Sequence, residues 1–384
     1  MKKTIAFLLA VVMLLALAAC GGGAAKTDKP ADGGNKPTGE DPSETFNEIG
    51  FFESGVDPQS RDTYNIVYSY MRPMSLFQQI NDDLVEMESV LNYKTTAYCA
   101  NSDIDALIQN IQLYADQGAD GYIIVIDPTA SDRICQVLDE TGLPYLALIN
   151  TVKDEDGHEI KAAVALEGIS AGKTIVNWMF DNYKSYIGDI DVSKVGLMDY
   201  NWSLNNDFQD RFDGAKAAYL EKLPNNEAMV FEADGASGGL NEETGYDLAT
   251  AILSAHPEVE YWFIPCCLEQ YAQGAARAVE ALGLEDKVMI VDISGDLLPR
   301  EWDGGYEGCW CASLALPSLV YAVPSICAIV SMIDGKSTPE TLWAKERAAG
   351  DVYTNFNTAG TGAMITKDNY VDYFKMIREK AGLQ

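Results

Sequence analysis

The chain has 384 residues, 58 acidic against 27 basic side chains, and a net charge of −31. That length carries a real core and two or three domains, and the charge excludes the basic footprint that nucleic-acid binding requires. Eight cysteines show no zinc spacing, and the two histidines, His158 and His256, have no ligand-spaced histidine or cysteine, so neither a metal nor a cofactor is expected.

In chain order, Lys2-Lys3 and the apolar run Ile5 to Leu17 form the charged and hydrophobic parts of a secretory signal over residues 1–20. The run is too short for a membrane-spanning helix. Residues 21–61 are rich in Gly, Pro, Lys, Asp and Ser and nearly free of aliphatics, which predicts a flexible tether. From Thr63 to Asn150 strands and helices alternate. Strands are expected at Asn65–Tyr70, Lys94–Tyr98, Gly121–Ile126 and Pro144–Ile149. Between them lie helices with apolar spacing at Phe77, Ile80, Leu84, Met87 and Leu91, and again at Ile104, Leu107, Ile108, Ile111 and Ala115.

A polar turn at Thr151–Ile160 leads to the strand Ala162–Leu166, and the alternation then restarts. Strands are expected at Lys194–Met198, Ala228–Phe231, Val259–Pro265 and Lys287–Ile293. Helices are expected from Ser170 through Met179, and at Asp207–Leu220, Thr244–Ala255, Tyr271–Leu282 and Leu319–Asp334. The pattern is α/β: two doubly wound parallel-sheet halves, the second beginning near Leu166. Ligands of such sheets sit at the carboxyl ends of the strands. These ends are Tyr70–Phe77, Asp127 and Asn150 in the first half, and the loop carrying Trp202 in the second.

Leu17-Ala18-Ala19-Cys20-Gly21 resembles the bacterial lipoprotein processing box, which implies Cys20 as a lipidated mature N-terminus. Acyl chains there would hold the protein on the outer face of the cytoplasmic membrane, at the cell surface or in the periplasm. The body resembles the type I periplasmic binding proteins, in the ribose and simple-sugar branch that serves ABC importers. The likeness covers about residues 62 to 380. It is carried by Ala119–Pro128, Gly142-Leu143-Pro144, Gly168-Ile169-Ser170-Ala171-Gly172, Arg211-Phe212-Asp213-Gly214, Gln273–Ala278 and Ile333-Asp334-Gly335-Lys336.

The resemblance implies two lobes joined by a three-stranded hinge, residues 62–165 and 316–350 in one and 166–315 and 351–384 in the other. It implies a monomeric, non-enzymatic protein that closes on a small ligand and passes it to an ABC permease. Position by position, Phe77 matches an aromatic that stacks on a sugar face, and Arg211 matches an arginine that bonds hydroxyls. Glu269 falls at an acidic position of the second lobe. Met74 and Asp127 stand where asparagines are common, Ile149-Asn150 replaces an Asp-Arg pair, Ser294 an aspartate, and Ala315 a glutamine. Most planar readers of sugar hydroxyls are therefore replaced. The set Tyr70, Met74, Phe77, Trp202 and Arg211 suits a sugar-like ligand with an apolar or aromatic face, a nucleoside or aromatic metabolite being the alternative.

Other chemistries are weighed on the same residues. Glu167 stands where a phosphate-binding P-loop needs glycine, before Gly168–Thr174. Catalysis by paired carboxylates would have to use Asp127 and Glu269. A ligand-presenting sensory module for a membrane receptor or kinase is the second reading of the same fold. Cys266-Cys267 is either a vicinal disulfide or soft patch, or two buried thiols, and Cys309 and Cys311 share one strand face.

Overall fold

A computed structural model describes residues 40–383, so the expected signal, Cys20 and most of the expected tether lie outside the described residues. The first half begins with β1 (Tyr64–Tyr70), α1 (Ser75–Glu86), the short α2 (Glu88–Leu91) and β2 (Tyr93–Cys99). It continues through α3 (Ile104–Asp116), β3 (Gly121–Ile124), α4 (Ser131–Thr141), β4 (Tyr145–Leu148) and β5 (Ala163–Ala165). The second half runs α5 (Gly168–Tyr186), β6 (Val195–Asn201), α6 (Asn206–Lys222), β7 (Val230–Asp234), α7 (Glu242–Ala255) and β8 (Tyr261–Cys266). It is completed by α8 (Glu269–Leu282), β9 (Val288–Ser294), α9 (Leu297–Asp303) and β10 (Trp310–Ala315). The chain ends with α10 (Leu319–Ile333), β11 (Asn355–Asn357), β12 (Ala363–Ile365) and α11 (Tyr370–Lys380).

These strands form two six-stranded sheets of like order, β2-β1-β3-β4-β5-β11 and β7-β6-β8-β9-β10-β12. All pairings are parallel except β10 with β12. The fold is therefore α/β, two doubly wound lobes, with the order reversing between β1 and β3 in one and between β6 and β8 in the other. The chain passes between the sheets after β5, after β10 and after β11.

Local chemistry explains the element ends. Asp103 caps α3 by accepting from Ala106 N, Glu167 caps α5 by accepting from Ser170 N, and Asn205 caps α6 by accepting from Asp207 N. The helix expected through Leu91 breaks at Met87, where α1 gives way to α2. Helix α10 is buried on nearly every side, because the first sheet covers one face and residues 41–54 cover another.

Two expected boundaries are corrected. Residues 41–61 are not a free tether: Ile49 and Phe52 are buried, and Ser43 Oγ accepts from Trp343 N at 2.9 Å. Averaging composition over residues 21–61 concealed the apolar cluster Phe46, Ile49, Phe51, Phe52 and Val56. The first lobe also does not end at residue 350, since β11 pairs with β5 and carries the return to Asn357. A three-residue strand leaves no alternation long enough to read. The same shortness hid β12 and the seven-residue α9, whereas the four-residue spacing of Tyr373 and Ile377 was an available signal for α11.

Candidate ligand cleft

The carboxyl ends of both sheets lead into the crossings. After β5, Glu167 N donates to Asn357 Oδ1 at 3.1 Å, and after β10, Leu316 N donates to Ser294 O at 2.8 Å. Ser294 therefore holds the second crossing through its carbonyl. The order reversals place β1 and β3 ends on one side and β6 and β8 ends on the other, the usual position for a ligand in such sheets.

On the first lobe the Tyr70 and Phe77 rings lie 5.8 Å apart, and Tyr70 is 5.2 Å from Tyr68. Tyr68 Oη donates to Phe77 O at 3.2 Å, tying the start of α1 to β1. Met74, just before α1, is 54% exposed. Asp127 Oδ1 is occupied by Thr129, accepting from its N at 2.9 Å and its Oγ1 at 2.6 Å. Asn150 Nδ2 donates to Ile126 O at 2.8 Å and ties the ends of β3 and β4. Asp127 and Asn150 thus shape the rim.

On the second lobe the Phe208 ring organises the site. Trp202 meets it edge-on at 5.9 Å, and the Arg211 guanidinium lies 4.8 Å from its centroid. Arg211 Nη1 donates to Cys267 O at 2.6 Å. Trp202 Nε1 and Arg211 Nε are buried without a hydrogen-bond partner, as are Trp343 Nε1 and Arg347 Nε elsewhere, but here the two donors flank one aromatic ring. The position of Arg211 is set by backbone contact. A Cβ on Gly172 of α5 would fall 2.0 Å from Arg211 O, so the glycines first weighed as a phosphate loop serve helix crossing instead. Glu269 faces away from this group: Oε2 accepts from Asp296 N at 3.0 Å and Leu297 N at 2.7 Å. Burial raises its carboxyl above the usual range, while the amide of Leu297 pulls the other way.

Sequence reasoning missed Phe208, the Cys267 carbonyl and Tyr321. The three-residue spacing of Phe208 and Arg211 on one helix face was the available signal. Tyr321 of α10 is buried, which raises its phenol, while Thr358 and the Arg211 guanidinium oppose that rise. A first-lobe helix therefore brings a phenol within the field of a second-lobe cation.

The seven cysteines among the described residues are free thiols. Burial pushes Cys267 up to about 12 and Cys266 well above its ordinary value, which leaves both unreactive as nucleophiles. Among the described residues no group of three His, Cys, Asp or Glu side chains could hold a metal, and no helix is long and apolar enough to cross a membrane. A pocket of ≈ 530 Å³ lies on the flank of the second lobe, lined by residues including Gln273, Arg277, Arg300 and Tyr306. It contains none of the strand-end residues, and Arg277 is already paired with Glu301 at 2.9 Å and Glu280 at 3.5 Å. The strand ends, where both lobes meet the crossings, are the better candidate.

A family model described as "Periplasmic binding protein domain" matches residues 70–311. Among solved structures, the chain is similar to an arabinose binding protein from Geobacillus stearothermophilus. The identity is 16% and the TM-score 0.60, covering 82% of this chain and 99% of that one. A periplasmic ribose ABC transporter protein from Conexibacter woesei matches at 16% identity and TM-score 0.60, covering 82% and 95%. An ABC transporter periplasmic solute binding protein from Actinobacillus succinogenes, with bound D-allose, matches at 15% identity and TM-score 0.57, covering 81% and 100%. No curated protein matches. At these identities the solved structures show the fold.

Proposed function

We propose, from the premise that the chain belongs to the periplasmic binding protein domain family, that it captures a small sugar or sugar-like ligand between its lobes for an ABC importer. The observation that carries this reading is the pair of buried, unpartnered donors, Trp202 Nε1 and Arg211 Nε, flanking the Phe208 ring. A ligand supplying acceptors to these donors and a flat face to the aromatics gains full contact only when both lobes engage it, which favours closure. The solved relatives named for arabinose, ribose and allose support the sugar class. With Asp127, Asn150 and Glu269 turned to the protein's own backbone and hydroxyls, the ligand is held by fewer polar groups and more apolar surface. In this reading Cys20 carries the lipid anchor, the protein works as a monomer outside the cytoplasmic membrane, and it performs no catalysis.

A thermal-shift screen of the chain against sugars, polyols, nucleosides and small aromatic metabolites tests this. A binder at about 100 times its dissociation constant stabilises by roughly 2.7 kcal/mol. A sugar hit that weakens at least about tenfold in Trp202→Phe, with circular dichroism unchanged, supports the reading. A hit confined to nucleosides or aromatics overturns the ligand class, and no hit in any class overturns solute capture.

A further inference from the structure

Residues 41–54 form a strap along α10 rather than a loose leader. Asp41 Oδ1 accepts from Ser337 Oγ at 2.9 Å, and Ser54 Oγ donates to Asp334 Oδ2 at 2.5 Å. Between these ends the loop Asn47–Phe51 closes on itself, with Asn47 Oδ1 accepting from Ile49 N and Phe51 N, both at 3.1 Å. Gly50 adopts φ +82, and a Cβ there would lie 3.0 Å from Pro324 and 3.1 Å from the Phe356 ring. Phe46 packs edge-on against Phe356 at 5.1 Å. The strap is thereby wedged between α10 and β11, which border the second and third crossings.

Helix α11 joins the strap to the other lobe. Its first turn is rooted in the second lobe, with Tyr370 Oη donating to Asp303 Oδ1 at 2.6 Å and Tyr373 Oη to Ala315 O at 3.5 Å. Its last turn rests on the first lobe and the strap. Arg378 pairs with Glu86 of α1 at 2.5 and 3.2 Å, Lys380 pairs with Glu48 at 3.0 Å, and Asn47 Nδ2 donates to Lys380 O at 3.0 Å.

We propose that the strap and α11 form a clasp that couples the arrangement of the two lobes to docking of the strap. Rotation about the crossings carries the root of α11 with the second lobe, while Glu86, Glu48 and Asn47 stay with the first. The contacts at Arg378 and Lys380 must then loosen. The coupling is reciprocal: lifting the strap frees the lobes, and moving the lobes loosens the strap, through which residues 1–39 join the body.

The test measures inter-lobe distance without any ligand, so its outcome is independent of solute capture. Labels carried by unnatural amino acids at Leu113 of α3 and Leu282 of α8, 47% and 38% exposed, report the distance distribution in the full chain. In Glu48→Ala combined with Lys380→Ala, the population outside the parental distance peak rises about two- to fivefold, the range expected of exposed pairs. High salt moves the parental chain in the same direction, and deletion of residues 40–54 moves it further. Distributions that superimpose for the parental chain and the double variant, at both low and high salt and with unchanged circular dichroism, overturn the clasp.

Discussion

In the first lobe β3, β4 and β5 are buried along nearly their whole length and carry no charged side chain, whereas the second lobe runs Asp199, Asn201 and Asp292 through the equally buried strands β6 and β9. The helix layers differ in the same sense. First-lobe helices pack through aliphatics such as Ile80, Leu84, Leu107 and Ile111, while α5 and α6 of the second lobe touch backbone to backbone at Gly172. Both lobes use buried tyrosines to tie strands to helices, as with Tyr122 Oη to Ile111 O at 2.7 Å and Tyr200 Oη to Gly245 O at 2.5 Å. One topology is thus held by aliphatic volume between helices in one lobe and by close backbone approach in the other, where Asp292 pairs with Trp310 and Ser313. The difference places Arg211 and Trp202, the two donors of the proposed site, on the lobe whose helices approach most closely.

The comparison can be broken at either lobe. Leu146→Ala, at a fully buried position of β4, should cost about 3–4 kcal/mol in urea unfolding, since a close-packed core relaxes only partly around the cavity. A cost below about 1 kcal/mol would mean that the first lobe is not held by volume. Gly172→Ala should cost about 3 kcal/mol by forcing α6 away, and it should also weaken binding by displacing Arg211, whereas Leu146→Ala should leave affinity intact. Equal effects of the two on affinity would erase the distinction between the lobes.

Asp292 accepts from Trp310 Nε1 at 2.8 Å and Ser313 Oγ at 3.0 Å, and burial holds its carboxyl well above the ordinary range. Asp292→Ala should cost about 2 kcal/mol by stranding those donors, and Asp292→Asn less, because the amide oxygen still serves Trp310. A larger loss in the asparagine variant would contradict the pairing scheme.

The smallest effect is pH dependence. Burial raises Glu159 to about 7, against the pull of Lys153, and Asp83 to about 6, against the pull of Ser318. For carboxyls raised in the folded state, their favourable contribution is complete below the unfolded value and is lost as pH rises through 6 to 7. Unfolding free energy should therefore be higher at pH 5 than at pH 8, and Glu159→Gln should remove roughly 1–2 kcal/mol of that difference. An unchanged slope in Glu159→Gln would place the titration elsewhere.

How much of this was legible follows the length of each signal. The long alternations over Thr63–Asn150 and Lys194–Ile293 announce both sheets, because period-two and fully apolar strands between 3.6-period helices have few other solutions. The crossing after β11 was not legible, since three residues carry no period. The strap was lost in an average over forty polar residues, although Phe46, Ile49 and Phe52 stand within seven positions. At the cleft, the sequence reading named Tyr70 and Trp202 at or just after strand ends, Phe77, which is buried in α1, and Arg211, which stands within α6. It could not show that Glu269 turns to the amides of Asp296 and Leu297, because that depends on how α9 meets α8.

The most direct test of capture between lobes is the inter-lobe distance, measured with the Leu113 and Leu282 labels before and after saturation with a ligand from the thermal screen. The account predicts that ligand narrows the distribution to one closed distance, and that Arg211→Ala or Phe77→Ala weakens both binding and narrowing. Tight binding with no change in distance, retained in both variants, would contradict it and place the ligand outside the cleft.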